Sequence, residues 1–292
     1  MSQRSIDVVI VNWNGGRGLL RAVRSAIRFG GNPIVVDNGS SDGSAELIEA
    51  GVPEATVIRL GSNTGFAHAC NVGVAAGTGE YVFLLNPDAE IVAGTPEDLV
   101  AAFAFDRRVR IVGAAMRDAQ GRPVRSVRRL PNPVSLALYQ LKLHPLARVI
   151  PPLRRYFMLD FRGDRPAIVE QVMGAAFVMR RVDWERLGGM DEGYFLWFEE
   201  VDLSRRVAEE GGVSLFWPRI VVRHVGGASF ARLPAPQRQA IWNRSVARYA
   251  NRHFSRRAAM IVRALAPAAT AGNRLADIAR RIRHRTARLS GG

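Results

Sequence analysis

The sequence predicts an α/β fold built on a mostly parallel, Rossmann-like sheet flanked by helices. Two observations support this prediction. Up to about residue 120, short Val- and Ile-rich runs alternate with segments of helical length, a pattern that is typical of βαβ units. The run Tyr81–Asn86 is apolar almost throughout, as in a strand buried on both faces of a parallel sheet. Right-handed crossovers then bring the carboxyl ends of the strands to one edge of the sheet.

The elements follow from these patterns in chain order. The predicted strands of the first half are Ile6–Asn12, Pro33–Asp37, Thr56–Leu60, Tyr81–Asn86 and Ile111–Met116. The predicted helices between them are Gly18–Phe29, Gly43–Ala50, Phe66–Ala76 and Pro96–Phe105. In the second half we expect strands over Ile168–Arg180 and Val213–His224, and helices over Asp183–Leu187 and Glu199–Gly211. Beyond Pro236 the sequence is expected to be helical and basic.

The composition is that of a globular protein. Hydrophobic residues make up 48% of the chain and charged residues 23%, which argues against disorder. The single cysteine, Cys70, excludes an intrachain disulfide and fits a reducing compartment such as the cytoplasm. No apolar run approaches the roughly 20 residues that cross a bilayer. The N-terminal apolar stretch is expected to form the first strand and not a signal peptide.

The net charge of +15 is concentrated in two segments. Residues 122–165 carry ten Lys or Arg against two Asp, and residues 251–292 carry ten Arg against one Asp. The rest of the chain is close to neutral, so an anionic surface or substrate is the expected partner of these segments. We therefore predict a main domain over residues 1–235, with 122–165 as a basic and apolar surface insertion. A basic helical extension is predicted over residues 236–292.

Polar and glycine-rich sequence follows each of the first four strands. The four stretches are NWNGG at 12–16, VVDNGSSDGS at 35–44, LGSNTGFAHACNVG at 60–73 and NPD at 86–88. Such an edge is where open α/β sheets bind ligands. The first strand lacks GxGxxG, and GxxxxGK[ST] is absent from the chain, which weakens a dinucleotide or P-loop interpretation.

Asp88 follows a buried strand and is a candidate ligand of Mg²⁺ or Mn²⁺, because these ions take carboxylate and phosphate oxygens together. The alternative is a helix-capping or turn residue, and for Asp37 it is a simple Asx-turn. His224 ends a later strand and is a candidate metal ligand beside Asp88, although a lone histidine is more often structural.

The segment GGMDEGYFLWFEEVDLSRR, residues 188–206, holds the densest group of acids. Glu199, Glu200 and Asp202 follow the aromatic run Tyr194–Phe198. Aromatic surroundings raise the pKa of a carboxyl group and make it usable as a general base. The alternative is that these acids only stabilise a helix N-terminus.

Six segments resemble, in their order, a family 2 glycosyltransferase of the GT-A fold, and in particular its bacterial rhamnosyltransferase-like members. They are VVIVNWNG, VVDNGSSDGS, NTGFAHACNVG, LLNPDAEI, GAAFVMRR and GGMDEGYFLWFEEVDLSRR. The resemblance covers about residues 5–230. It implies an inverting sugar transfer from a nucleotide-diphosphate sugar, with Mn²⁺ or Mg²⁺ on the diphosphate.

The resemblance also implies roles for individual residues. Asn86-Pro87-Asp88 stands at the DxD motif of the family with Asn in place of the first Asp, so Asp88 and His224 are the expected metal ligands. A Glu-Glu pair stands where Glu-Asp is usual, so Glu200 is the expected base and Glu199 the other candidate. The expected donor-nucleotide residues are Asn12, Asn14, Asp37, Asn38, Asn63, Gly65, Asn71 and Asn86. The expected acceptor and sugar pocket contains Trp197, Asp191 and Gly174.

The subgroup implies L-rhamnose transfer from dTDP-rhamnose to a hydroxyl of a glycan or lipid-linked glycan in cell-envelope polysaccharide synthesis. Two alternatives remain, a sugar nucleotidyltransferase and a non-catalytic, membrane-associated nucleotide-sugar-binding module. The nucleotidyltransferase would normally show a basic, glycine-rich loop after the first strand, and NWNGGRGLLR is only a faint version of one.

Residues 274–289, RLADIARRIRHRTARL, place apolar side chains on one helical side and arginines on the rest. This pattern is typical of an interfacial helix, and a solvated basic face or a disordered tail is the alternative. We expect an anionic membrane surface as partner, at the cytoplasmic face of the plasma membrane. No nucleic-acid-binding motif is present, so nucleic acid is not an expected partner.

Overall fold

A computed structural model describes residues 5–225, 233–267 and 270 of the chain. It divides into two compact units. The first comprises Met1–Leu130 and Asp160–Arg232, and the second Pro131–Leu159 and Leu233–Gly292. The predicted insertion over 122–165 is therefore shared between the units, and its middle part groups with the C-terminal segment.

Twelve strands and ten α-helices are described. The strands are β1 (Ile6–Asn12), β2 (Asn32–Asp37), β3 (Thr56–Arg59), β4 (Tyr81–Leu85), β5 (Ala89–Ala93), β6 (Val109–Arg117), β7 (Pro123–Val124), β8 (Val127–Arg128), β9 (Ala167–Val169), β10 (Gln171–Val172), β11 (Ala176–Arg180) and β12 (Val213–His224). The helices are α1 (Gly16–Arg28), α2 (Ser44–Gly51), α3 (Phe66–Ala75), α4 (Pro96–Ala104), α5 (Pro133–Gln140), α6 (Pro151–Tyr156), α7 (Arg181–Arg186), α8 (Glu199–Glu209), α9 (Ala235–His253) and α10 (Arg256–Ala264). A short 3₁₀ helix, His144–Leu146, lies between α5 and α6.

The first unit is built on a sheet of order β3-β2-β1-β4-β11-β6-β12-β5, with β7 beside β6 and β9 beside β12. Strands β1 to β4, β6 and β12 run in one direction, and β5, β7, β9 and β11 run in the other. The predicted mostly parallel α/β sheet is confirmed. The carboxyl ends of β1, β2, β4 and β12 consequently share one edge with the amino ends of β5 and β11.

Continuous burial explains the central strands. All seven residues of β1 and all five of β4 are buried, as expected for strands covered on both faces. Helix α1 packs Leu19, Val23 and Ala26 into the same core. Helix α4 begins at a capping box, in which the Thr95 hydroxyl accepts from Asp98 N and the Asp98 carboxylate accepts from Thr95 N, a signal readable in the sequence.

Two parts of the sheet differ from the prediction. Strand-like sequence was predicted over Ile168–Arg180 without division, and the structure divides it into three strands: β9 pairs with β12, β10 leaves the main sheet to pair with β8, and β11 inserts antiparallel between β4 and β6. Strand β5 was not predicted, although it starts directly after Asp88 and pairs with β12. Five residues of mixed burial carry too weak a period to be recognised from sequence.

The second unit has its own apolar core. The ring of Tyr139 lies 5.3 Å from that of Trp242 and 6.2 Å from that of Tyr156. Gln140 Nε2 donates to Val262 O at 2.8 Å. Helix α5, which starts at an Asn132–Ser135 capping box, is thereby joined to helices more than 90 residues later in the chain.

The predicted interfacial helix over 274–289 lies outside the described residues. Among the helices that are described, none combines the length and apolar character needed to cross a bilayer.

Candidate active site

The shared edge of the sheet brings together the side chains that follow β1, β2, β4 and β12. Asn12 and Asp37 end two neighbouring parallel strands and stand opposite each other in register. Asp88 follows β4, and His224 ends β12. These positions are where ligands bind in open α/β sheets.

Asn12 is fully buried, and both the nitrogen and the oxygen of its side-chain amide are hydrogen-bonded within the protein. Its Nδ2 lies 2.9 Å from Asp37 Oδ1, 3.0 Å from Ser40 Oγ and 2.9 Å from Ser44 Oγ. Its Oδ1 accepts from Gly15 N at 3.0 Å. Asn12 therefore holds the loop after β2 against the start of α1, and Asp37 is held beneath that loop.

Asn14 joins the same two loops from the other side. Its backbone takes the left-handed conformation, with φ of 55°, which Asn tolerates better than most residues. Asn14 Oδ1 accepts from Ser41 N at 2.8 Å, and Asn14 N donates to Ser40 Oγ at 2.9 Å. The loops after β1 and β2 are thus joined by hydrogen bonds of the protein itself.

Asn38 organises the loop that carries Asn63 and Gly65. Its Oδ1 accepts from Thr64 N at 2.8 Å, and its Nδ2 donates to Gly65 O at 3.1 Å and lies 3.2 Å from Asn63 Oδ1. Gly65 has φ of 94°, and a Cβ there would lie 2.8 Å from Phe195 O. Only glycine fits this contact, which ties the loop to the aromatic run.

Asn71 clamps helix α3 to the segment before the aromatic run. Its amide exchanges two hydrogen bonds with the backbone of Met190, both of 2.9 Å, and Nδ2 also donates to Glu192 Oε1 at 2.9 Å. Glu192 Oε2 lies 2.8 Å from His68 Nδ1. Asp191, in the same segment, accepts from Gly193 N at 3.0 Å.

Asp88 and His224 face each other directly. Asp88 Oδ1 lies 3.0 Å from His224 Nε2, and both side chains are partly exposed at the sheet edge. Val225 N donates to Asp88 O at 3.1 Å, which fixes the end of β12 beside the Asp88 backbone. A Cβ at Gly18 would lie 3.0 Å from Pro87 O, so the first turn of α1 packs closely against this site.

The donor chemistry of this pair fits a divalent ion. One carboxylate oxygen and one imidazole nitrogen suit Mn²⁺, and carboxylate suits Mg²⁺ as well. No group of three or more His, Cys, Asp or Glu side chains that could hold a metal occurs in the described part of the chain. Ligand oxygens and water would have to complete such a coordination sphere.

Glu199 and Glu200 open helix α8 after an unusual turn. The two preceding residues, Trp197 and Phe198, have φ of 64° and 75°. Two consecutive non-glycine residues in this region cost free energy, and such strain is concentrated at functional sites. Helix α8 starts directly after these two residues, so both glutamates lie in its first turn.

Glu200 packs against Gly174 at the sheet edge. A Cβ at Gly174 would lie 3.2 Å from Glu200 Cγ, so glycine makes room for the glutamate. The next residue, Ala175, accepts a 2.9 Å hydrogen bond from Asn86 N, which links the Glu200 environment to the NPD stretch. The partly exposed Asn86 amide makes no side-chain hydrogen bond within the described residues.

Burial raises the pKa of Glu200. The backbone N–H groups at the start of α8 and the positive charge of Arg128 oppose this rise without cancelling it. The Glu200 Oε2 atom is buried without a hydrogen-bond partner. A carboxyl group of this kind holds a proton more readily than an ordinary glutamate does.

The other two acids of this segment differ from Glu200. Glu199 is almost completely buried, and both its burial and the charge of Glu200 raise its pKa well above the ordinary value. Asp202 is buried and paired with Arg206 at 2.7 Å. Arg206 also donates to Leu187 O and Gly189 O, so Asp202 and Arg206 hold the preceding loop onto α8.

Sequence reasoning missed Arg128 and Ser44. Arg128 lies on β8 inside a segment whose basic residues are indistinguishable by pattern. Ser44 begins α2 and was grouped with a glycine-rich turn. Only contacts between distant parts of the chain reveal either role.

The sequence profile described as Glycosyl transferase family 2 matches residues 7–187. The chain belongs to glycosyl transferase family 2. This family 2 glycosyltransferase is 28% identical over 266 residues to the N-acetylglucosaminyl-diphospho-decaprenol L-rhamnosyltransferase of Mycobacterium tuberculosis, covering 85% of each chain. The predicted family and the prediction of a glycosyltransferase are confirmed.

Solved structures agree on the fold. The chain superposes on GalNAc-T7, solved with UDP, GalNAc and Mn²⁺, with a TM-score of 0.58 and 19% identity over 86% of this chain and 51% of that one. It superposes on the mannosyltransferase PcManGT of Pyrobaculum calidifontis, solved with GDP-Man and Mn²⁺, with a TM-score of 0.57 and 18% identity over 100% of this chain and 82% of that one. The family 2 glycosyltransferase thus spans about half the length of GalNAc-T7. The predicted GT-A fold is confirmed.

Proposed function

We propose that this glycosyltransferase moves L-rhamnose from dTDP-rhamnose, with inversion, to a hydroxyl of a lipid-linked glycan in cell-envelope polysaccharide synthesis. The observation that carries the proposal is the Gly174–Ala175–Asn86 link between Glu200 and the Asp88–His224 pair. The choice of sugar and acceptor is supported by the similarity to the mycobacterial enzyme, whose name gives rhamnose and a decaprenol-linked sugar.

Glu200 is the base in this proposal. It takes the proton of the acceptor hydroxyl as that oxygen attacks the anomeric carbon from the side opposite the departing nucleotide. Burial suits Glu200 to the task, because its raised pKa makes the carboxylate a better proton acceptor. Glu199 lies deeper, and we propose that it shapes the surroundings of Glu200 without touching the acceptor.

Asp88 and His224 are proposed to hold Mn²⁺ or Mg²⁺ against the donor diphosphate. Such an ion offsets the negative charge of a leaving diphosphate. The relatives solved with Mn²⁺ support the choice of a divalent ion. Asn86, whose amide points to no partner in the described protein, is proposed to contact the donor directly.

The remaining donor residues are proposed to act in two ways. Asp37, Asn14, Asn63 and Gly65 border the crevice and contact the nucleotide. Hydrogen bonds to other protein groups occupy the side-chain amides of Asn12, Asn38 and Asn71, so these residues are proposed to position the loops. Trp197, Asp191 and Gly174 are proposed to line the acceptor and sugar pocket beside Glu200.

The proposed acceptor places the enzyme at the cytoplasmic face of an anionic membrane, as a peripheral protein. The positive charge of the two basic segments supports this location, since anionic lipid attracts Lys and Arg near its surface.

Calorimetric titration with UDP, dTDP and GDP, each with and without Mn²⁺, tests the donor site. We expect dTDP to bind most tightly, to require the ion, and to lose at least tenfold in affinity in Asp88→Ala. Asp164→Ala, which removes an exposed acid outside the crevice, is the matched control and should bind normally. Metal-independent binding, or equal binding by Asp88→Ala, would overturn the assignment.

A further inference from the structure

Helix α10 carries large apolar side chains on its solvent-exposed side. Its buried side is formed by Ala259 and Val262. On the opposite side Met260 and Ile261 are 64% and 62% exposed. Together with Arg257 and Ala264 they follow the spacing i, i+3, i+4, i+7, which marks one continuous helical stripe. We call these four residues the α10 stripe.

Arginines lie within the α10 stripe and along one side of it. Arg256 and Arg263 are exposed in the same helix. The described segments of this unit, residues 131–159 and 233–267, contain eleven Lys or Arg and no Asp or Glu. A helix side that is exposed only to solvent usually carries charges of both signs and few exposed Met or Ile side chains. The composition of the α10 stripe therefore indicates a partner that is both anionic and apolar.

A second element of the same unit repeats this composition. The end of the 3₁₀ helix and the turn after it expose Leu146 and Val149, which flank Arg148 in the sequence, and Val149 is 75% exposed. Val149 N donates to Leu146 O at 3.0 Å, so the turn is ordered by its own backbone. Two separate elements therefore present apolar side chains next to arginine.

The composition favours a lipid surface over other partners. A second copy of the chain would bring eleven positive charges against eleven others with no acid in these segments to offset them, which is repulsive. Nucleic acid would be recognised by basic and stacking aromatic side chains and gives no role to exposed Met and Ile. An anionic bilayer attracts the arginines and accepts the apolar side chains at the boundary of headgroups and acyl chains.

We propose that the second unit docks on an anionic lipid surface through the α10 stripe, with Met260 and Ile261 entering the headgroup boundary and Arg256, Arg257 and Arg263 meeting lipid phosphates. This docking surface specifies which residues make the membrane contact of the proposed function, and its biological role rests on that function. The vesicle experiment is independent of the proposed function, because it needs neither donor nor acceptor.

The experiment is flotation of the full chain with phosphatidylcholine vesicles that contain or lack phosphatidylglycerol. We expect binding only with phosphatidylglycerol, weakened by added salt as surface charges are screened. Met260→Ser/Ile261→Ser should bind about tenfold more weakly, because two partly inserted side chains are lost. Arg256→Gln/Arg257→Gln should lose roughly fivefold per arginine, the effect of about 1 kcal/mol each.

Val92→Ser/Val182→Ser is the matched control, because it removes two exposed valines from the first unit. It should bind like the unchanged protein, and thermal unfolding should show that all three variants fold. Equal binding to neutral vesicles, or normal binding by Met260→Ser/Ile261→Ser, would overturn the proposal. So would self-association that this variant abolishes, or binding to an oligonucleotide with no binding to vesicles. Normal dTDP titration with failed vesicle binding would reject the docking surface and leave the donor site standing.

Discussion

Glu199 and Glu200 begin the same helix in different surroundings. Glu200 rests on Gly174 at the sheet edge, while Glu199 is nearly enclosed. Each has a buried Oε2 without a hydrogen-bond partner. An unpaired buried carboxylate is costly, so both groups favour the protonated form more than an exposed glutamate would.

Glu200→Gln should lower kcat by roughly 10²- to 10⁴-fold, the range typical of a lost general base, and leave dTDP affinity unchanged. In the unchanged enzyme, activity should fall as pH drops through the raised pKa of Glu200, because the base becomes protonated. Transfer rates to a soluble acceptor measured across pH give both results. Glu185→Gln, at an exposed position on α7, is the control. Near-normal turnover of folded Glu200→Gln would reject the assignment.

Glu199→Gln should raise the free energy of unfolding at neutral pH. The folded-state pKa of Glu199 is raised from the ordinary 4.5, so its favourable contribution is complete below that value and is lost as pH rises through the folded pKa. Glutamine has no titratable side chain, so it does not lose free energy of unfolding as the pH rises. Urea denaturation should therefore show a difference between the two proteins that shrinks as pH approaches 4.5 from above. A variant less stable at every pH would show that Glu199 has a favourable partner as a carboxylate.

At the scale of elements, the β10–β11 connection and the start of α8 meet where Glu200, the proposed base, lies. Gly174 leaves the connection without a side chain at the point where Glu200 arrives. The left-handed turn at Trp197 and Phe198 directs α8 to the same point. The position of Glu200 thus depends both on the β10–β11 connection and on the turn that starts α8.

Gly174→Ala should reduce kcat more than tenfold, with little effect on dTDP affinity. The new methyl group would lie 3.2 to 3.3 Å from Glu200 Cγ, Cβ and Cδ, and small displacements of a catalytic group are costly. Gly51→Ala, where a Cβ meets nothing within 4 Å, serves as the control and should keep normal kcat. Unchanged kcat in Gly174→Ala would mean that Glu200 has room to shift without loss.

The opposite edge of the sheet is held by a buried ion pair. Arg181 donates to Asp7 Oδ2, Gly79 O and Val74 O, each at 2.7 Å, and so joins β1, α3 and the start of α7. Arg181→Met should cost about 3–5 kcal/mol of unfolding free energy, because a buried charge is left unpaired. Arg108→Met breaks an exposed pair with Asp106 and should cost at most about 1 kcal/mol. Folded Arg181→Met should still bind dTDP normally, since the pair lies away from the site.

At the scale of the whole molecule, charge and chemistry are separated. The candidate active site is built entirely from the first unit, whereas residues 131–159 and 233–267 of the second carry only positive charge. We propose that the first unit performs the transfer and that the second serves association with the membrane. The second unit is assembled from two separated segments, and the division into residues 1–235 and 236–292 stays a prediction.

Truncation after Pro234 should expose the core of the second unit. Leu136, Leu153 and Tyr156 are buried, and Tyr139 would lose its contact with Trp242. The truncated protein should bind an apolar dye such as anilinonaphthalene sulfonate and unfold at a lower temperature. Truncation after Thr270 keeps α9 and α10 and should do neither. If the shorter chain is as stable as the longer one, residues 131–159 do not depend on the C-terminal helices.

The capped and continuously buried elements could be predicted from sequence alone. β1 and β4 are apolar runs, α4 has a capping box, and polar residues follow each early strand, because burial period and capping are local properties. The family resemblance added residue roles in the same way, position by position. The division of the strand-like stretch Ile168–Arg180 into β9, β10 and β11 could not be predicted, because a pattern of apolar residues does not show with which partner a strand will pair.

By itself, the sequence determined the α/β class, the polar edge of the sheet, the family and the two basic segments, since each of them depends on residues that are neighbours in the sequence. The family resemblance predicted that Asp88 and His224 lie together, and the tertiary structure has their side chains 3.0 Å apart although 136 positions separate them. Only the tertiary structure decided that Gly174 makes room for Glu200. It also decided that residues 131–159 pack with the C-terminal helices. Such contacts depend on the path of the whole chain, which brings together side chains that no local period or motif connects.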